Sequence, residues 1–154
     1  MASIRHEIMI DASPEHVWDV LRDVSAVNER LLPGRVADSR IEDGQRFLTF
    51  PDGHVIRELI VAVDDANRRL AYSVIEGARP PADYHHASFE VHPEGRRASR
   101  LIWTTDVLPH ALAARIRIVM ERGATEMKEA IEAAAPTAAD SGTGPGHESL
   151  PAGK

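Results

Sequence analysis

Between Arg35 and Val107 the chain is interrupted by turn signals at intervals too short for anything except neighbouring antiparallel strands. The interruptions are Asp43-Gly44, Pro51-Asp52-Gly53, Asp64-Asp65-Ala66-Asn67, Gly77-Ala78-Arg79-Pro80-Pro81 and Pro93-Glu94-Gly95. Each combines residues that preset or tolerate turn dihedrals. The runs between them predict six strands, at 35–41, 45–50, 54–64, 69–77, 84–92 and 98–107. Parallel pairing needs a crossover of about a dozen residues or more, so links this short predict a sequential antiparallel meander.

The flanks change period. From Ser3 to Ile10 the residues Ile4, His6, Ile8 and Ile10 alternate with Arg5, Glu7 and Met9, which predicts a further strand with one buried face. Ser13 as N-cap, Pro14 at the first helical position and Glu15 behind it predict a short helix carrying Val17, Trp18, Val20, Leu21 and Val24. A second short helix is expected from Ser25 or Ala26 to Leu31 and Leu32, ended by Pro33-Gly34. After Pro109, the apolar residues Leu112, Ile116, Val119, Met120, Met127 and Ile131 recur every three or four positions, predicting a long amphipathic helix to about Ala135. Gly123 lies on that apolar side and costs the helix about 1 kcal/mol relative to alanine, so either a close helix–sheet contact or room for a ligand should offset it.

The 154 residues are enough for one domain, and 43% hydrophobic against 27% charged residues is ordinary globular usage. The expected architecture is α+β: a seven-stranded curved antiparallel sheet wrapped around a long C-terminal helix, with two short helices after strand 1. It occupies residues 1–136, and 137–154, rich in small, polar and turn residues, is expected to be a disordered tail. A net charge of −6 argues against nucleic-acid binding. No apolar run approaches the ~20 residues of a membrane span, and charges at Arg5, His6, Glu7 and Asp11 break any secretory leader. The chain has no cysteine, which removes disulfides, thiolate ligands and a cysteine nucleophile and suits the cytoplasm. The histidines show no metal-ligand spacing and the serines no nucleophile elbow. Neither a metal nor an organic cofactor is implied, and a monomer or homodimer is expected.

The order strand, two short helices, six-strand meander and long C-terminal helix resembles the helix-grip superfamily, also called SRPBCC or START-like. It comprises START lipid-transfer domains, birch-pollen-type allergens, bacterial polyketide cyclases and plant abscisic acid receptors. Ile10-Asp11-Ala12-Ser13-Pro14-Glu15-His16-Val17-Trp18 is similar to the first strand-to-helix junction of the bacterial polyketide cyclase/dehydrase branch. The stretch from Pro51 to Leu59, with Asp64-Asp65 and Leu70-Ala71-Tyr72, resembles the middle of that branch and of the receptors. The resemblance implies a cavity between sheet and helix for a small hydrophobic or aromatic molecule. It also implies an entrance bordered by a gate-like loop, Phe50 to His54, and a latch-like loop, Gly77 to Asp83. The receptors' Ser-Gly-Leu-Pro-Ala gate and their ligand-anchoring lysine are absent, so hormone reception is not carried over.

Within that frame Glu58, flanked on its own face by Ile56 and Ile60, is a candidate acid, base or ligand anchor if it points inward, or the partner of an arginine such as Arg46. Tyr84, His85 and His86 open a strand just after the latch-like loop, and either histidine is a candidate proton shuttle for cyclisation or dehydration. Apolar alternation places His85 inside with Ala87, Phe89 and Val91, whereas the family's tyrosine position places Tyr84 and His86 inside. Tyr72 and Trp103 are core aromatics that can double as cavity wall. Phe50, His54, Ile56, Ile60, Tyr84, Phe89, Ile116, Met120, Gly123 and Met127 complete the expected ligand contacts. The implied function is binding of a hydrophobic metabolite, with cofactor-free cyclisation or dehydration of a polyketide-like substrate or a non-catalytic lipid carrier or sensor role as its two forms.

Overall fold

The computed structural model describes residues 1–136. The expected tail at 137–154 lies outside the described residues. The elements run β1 (Ala2–Ile10), α1 (Pro14–Arg22), a π-type turn (Val27–Leu31), β2 (Asp38–Glu42), β3 (Gln45–Thr49), β4 (Val55–Asp64), β5 (Arg69–Glu76), β6 (Tyr84–Pro93), β7 (Ser99–Leu108), a 3-10 turn (His110–Leu112) and α2 (Ala113–Ala134). All seven strands form one antiparallel sheet in the order β1-β7-β6-β5-β4-β3-β2. Strands 2 to 7 are the expected meander. β1 returns from the far end of the sequence to pair with β7 along its full length, from Ala2 opposite Val107 to Ile10 opposite Ser99.

Local chemistry accounts for the helix starts. The Ser13 hydroxyl accepts from the His16 backbone N–H at 3.2 Å, and Pro14 occupies a position where no N–H is needed. The second short helix is present as a five-residue π-helix, Val27–Leu31, closed by a π-type bond from Leu32 N–H to the Val27 carbonyl at 2.8 Å. Pro33 explains the stop, because it disfavours helical dihedrals at Leu32, which leaves the coil at φ −132°. This short helix buries Val27 and Leu31, so its hydrophobic spacing is used. α1 is tied to the β4–β5 turn by Asp65, whose Oδ1 accepts from Trp18 Nε1 at 2.9 Å and Arg22 Nε at 2.8 Å.

Two register shifts in β4, at Arg57/Glu58 and Ile60/Ala62, mark irregularities of the kind that bend a strand and add twist. α2 crosses the concave side with 22 residues, about 33 Å at 1.5 Å each. It buries Ile116, Met120, Ala124, Met127 and Ile131. Its N-terminal half packs Ile116 and Met120 with Ala2, Ile4 and Val107. Its C-terminal half packs Met127 and Ile131 with α1, the π-type turn and the sheet. Trp103 abuts both clusters. The architecture is the helix-grip arrangement, and no helix among the described residues is long and apolar enough to cross a membrane.

Candidate functional site

A cavity of about 830 Å³ lies between the sheet and α2. It is within the roughly 300–1,000 Å³ typical of small-molecule sites. Its floor is a row of three aromatic rings on adjacent strands. Tyr72 stacks on Phe89 at 6.1 Å between centroids, and Phe89 on Trp103 at 4.9 Å. Leu48, Phe50 and Ile56 extend the floor, Val27 and Leu31 close one side, and Gly123 and Met127 of α2 form the roof. Gly123 meets both expectations at once. A Cβ there would sit 3.3 Å from two carbons of the Trp103 ring, so the glycine lets helix and indole approach while it borders the cavity.

One ion pair is sealed into this mostly apolar wall. Arg46 on β3 faces Glu58 on β4 in direct register, and Arg46 Nε and Nη2 each reach Glu58 Oε1 at 2.7 Å. The two side chains are 6% and 7% exposed. The inward position of Glu58 and its pairing with arginine, posed as alternatives by the sequence, hold together because Arg46 also points inward. The second carboxylate oxygen, Oε2, accepts no hydrogen bond among the described residues and is not fully buried, which leaves an acceptor toward the cavity that both residues line. The Arg46 guanidinium also lies 5.4 Å from the Tyr72 ring centroid. Burial, reinforced by the Glu58 charge, pushes the Tyr72 phenol well above its ordinary pKa, so it acts as a neutral hydroxyl. The Trp103 indole Nε1 is buried without a hydrogen-bond partner among the described residues.

The gate-like and latch-like loops meet at the mouth. Arg79 Nη1 and Nη2 donate to Asp52 Oδ2 and Oδ1 at 3.0 and 3.2 Å, and the same guanidinium lies 5.4 Å from the Phe50 ring centroid. His54 Nε2–H donates to the Gly77 carbonyl at 2.7 Å. Across the mouth, Arg35 forms a bidentate pair with Glu126 of α2, its Nε donating to Oε1 at 2.8 Å. The Arg79 hydrogen bonds hold the Asp52 carboxyl at a pKa of about 2. A carboxyl lowered in the fold contributes fully above its free value of about 3.8 and loses that contribution as pH falls through about 2. The clasp is therefore expected to be unchanged from neutrality to about pH 4, to weaken below that and to open as pH falls through about 2. Arg79→Gln should release a bound apolar dye faster at neutral pH, with little change in melting temperature because the pair is exposed. Stopped-flow dilution checks this, and an unchanged release rate would show that the clasp does not gate the mouth.

The other sequence candidates fall elsewhere. Ile60 packs at the edge of the larger core, and Ile116 and Met120 in the smaller one, so none of the three is on the cavity wall. His54 works in the loop clasp rather than the cavity. On β6 the apolar alternation decides the register: His85 shares the inner face with Ala87 and Phe89, while Tyr84 and His86, opposite Leu108 and Asp106, take the outer face. His85 does not line the cavity. Burial lowers its pKa to about 4, keeping the imidazole neutral at neutral pH, and its Nδ1 has no partner among the described residues. Two mouth residues, Arg122 and Glu126, were not among the sequence candidates. Their four-residue spacing on the predicted helix was the available signal.

Fold and cavity together define a helix-grip protein with an open, mostly apolar chamber and one buried charge pair. The chain belongs to the polyketide cyclase/dehydrase and lipid transport family, which it matches over residues 1–133. No curated protein sequence matches it. Among solved structures it is similar to an uncharacterised protein of Bacillus thuringiensis at 19% identity and a TM-score of 0.75, covering 84% of this chain and 98% of that one. It is also similar to norcoclaurine synthase of Thalictrum flavum in complex with dopamine and hydroxybenzaldehyde, at 24% identity, TM-score 0.68, 86% of this chain and 84% of that one. A third is the di-domain ARO/CYC protein BexL of the BE-7585A biosynthetic pathway, at 18% identity and a TM-score of 0.70 over 86% of this chain and 47% of that one.

Proposed function

We propose that this protein binds a small, predominantly apolar or aromatic molecule in the cavity, with Glu58 as its polar anchor. One observation carries this: an 830 Å³ chamber with an aromatic floor contains a single buried ion pair whose carboxylate keeps a free acceptor. Hydrophobic area supplies affinity, and Glu58 Oε2 selects a ligand bearing a hydroxyl or another donor at depth. The norcoclaurine synthase structure, which holds two aromatic molecules, supports an aromatic occupant. The absence of cysteine supports a reducing compartment such as the bacterial cytoplasm.

Glu58 also favours a second form of the same function, cofactor-free ring closure or dehydration. The chamber would fold a reactive chain into a near-attack shape while Glu58 Oε2 takes a proton from the carbon beside a carbonyl. Glu58 then gives it back, to the alkoxide formed with the new carbon–carbon bond in ring closure, or to the departing hydroxyl, which leaves as water, in dehydration. The inner face of β6 offers no histidine to the cavity, so Glu58 would act with the neutral Tyr72 hydroxyl as its polar neighbour. Native mass spectrometry of protein from its own organism identifies a co-purifying molecule, and Glu58→Gln separates the two forms. A carrier loses affinity for hydroxyl-bearing ligands with no turnover to lose, and in both forms the variant is less stable because Arg46 is left without its counter-charge. An enzyme loses roughly 10²–10⁴-fold in turnover with a much smaller change in affinity. Equal binding by wild type and Glu58→Gln, without any change in turnover, would remove Glu58 from the site.

A further inference from the structure

We infer that the cavity takes an amphipathic acid, whose anionic head group rests at the mouth on Arg122 while its apolar body lies inside. This rests on the proposed binding function and adds the chemical class of the ligand. The charges of the cavity wall carry it. Four arginines, at positions 35, 46, 79 and 122, face three carboxylates, Asp52, Glu58 and Glu126, in a chain whose net charge is −6. Three of the arginines are matched one to one: Arg46 with Glu58, Arg79 with Asp52, and Arg35 with Glu126. Both oxygens of Asp52 and of Glu126 are used in those pairs. Arg122 is left with no hydrogen bond or ion pair among the described residues, although it lies one helical turn from Glu126 and borders the opening.

A second depression adjoins the first and shares Arg79, Val119 and Arg122 with it. The rest of its lining is Pro80, Pro81, Ile118 and Arg115, so it adds another arginine and no acid. The junction of the two depressions is therefore positive and flanked by apolar side chains. Ile118 is 67% exposed there. A guanidinium that makes no ion pair or hydrogen bond among the described residues, beside apolar surface at the end of an apolar chamber, matches a carboxylate or phosphate on a hydrocarbon or aryl body, because a guanidinium binds either anion through paired N–H groups.

Laurate, dodecanol and dodecylamine share one hydrocarbon chain and differ in head-group charge. Titrated calorimetrically into the wild-type protein, laurate is expected to bind about five- to tenfold more tightly than dodecanol, the size of a partly screened charge-assisted contact, with dodecylamine weakest. The preference should shrink in high salt, disappear in Arg122→Gln, persist in Arg122→Lys and reverse toward the amine in Arg122→Glu. Arg122 is exposed, so these variants should melt like the wild type. Equal affinity for all three probes in the wild type would overturn the anionic head group and leave the cavity function standing. Binding of none of them would overturn both. A laurate preference unchanged in Arg122→Gln would remove Arg122 from the head-group site.

Discussion

Arg46→Leu is expected to destabilise the fold by about 3–5 kcal/mol in urea denaturation, whereas the double variant Arg46→Leu/Glu58→Leu should recover most of that loss. The reason is the burial of the pair at 6% and 7% side-chain exposure. Removing one partner leaves a charge in a mostly apolar chamber with no counter-ion. Removing both leaves a hydrocarbon surface that the same chamber accepts. Two lesser contacts of Arg46 also go in the single variant, a long hydrogen bond to the Val24 carbonyl at 3.4 Å and the approach to the Tyr72 ring. A single variant within about 1 kcal/mol of wild type, close to the resolution of such measurements, would mean that water reaches the pair. The double variant also tests function, since it should keep an apolar chamber yet lose discrimination for ligands that carry a hydroxyl.

The second large effect is expected at Gly77. Its φ of +82° is a left-handed conformation, and a Cβ would meet the Val55 carbonyl oxygen at 2.2 Å. Strain of that kind costs about 1–3 kcal/mol for a non-glycine residue, before any clash. Here the obstructing atom is backbone of β4 and cannot rotate aside. Gly77→Ala must therefore move the latch-like loop away from β4, which breaks the His54–Gly77 hydrogen bond and draws Arg79 off Asp52. Gly53→Ala is the matched control, because Gly53 has φ +86° and a Cβ there would meet nothing within 4 Å, so it carries strain alone. Gly77→Ala should be the more destabilised of the two and should release a bound dye faster. Equal stabilities in urea denaturation would show that the close approach at Val55 is relieved without opening the mouth.

Much of the architecture was legible because its causes are local. The turn clusters bounded the strands within about three residues of their observed ends, since glycine, proline, aspartate and asparagine act through their own dihedrals and near neighbours. The Ser13-Pro14 start and the spacing of Ile116, Met120, Met127 and Ile131 identified both α-helices for the same reason. The second short helix was legible too, ending where Pro33 constrains Leu32, although it is a π-helix of five residues. On β6, plain alternation put His85 inside, whereas the tyrosine position carried over from the family put Tyr84 and His86 there. Alternation prevailed because Ala87, Phe89 and Val91 bury on the same face, and shifting the strand by one residue would expose all three.

By itself the sequence determined the order of elements, the antiparallel meander, the amphipathic last helix and the aromatic inner face, because all follow from side-chain period and turn chemistry within a few residues. Only the tertiary structure decided that β1 closes the sheet against β7, that Arg46 and Glu58 satisfy each other inside it, and that Asp52 meets Arg79 and Arg35 meets Glu126 around the mouth. These contacts join positions 12 to more than 90 residues apart, and no local period encodes them. They depend on how sharply the sheet bends and where α2 crosses it, which the packing of the whole chain sets at once.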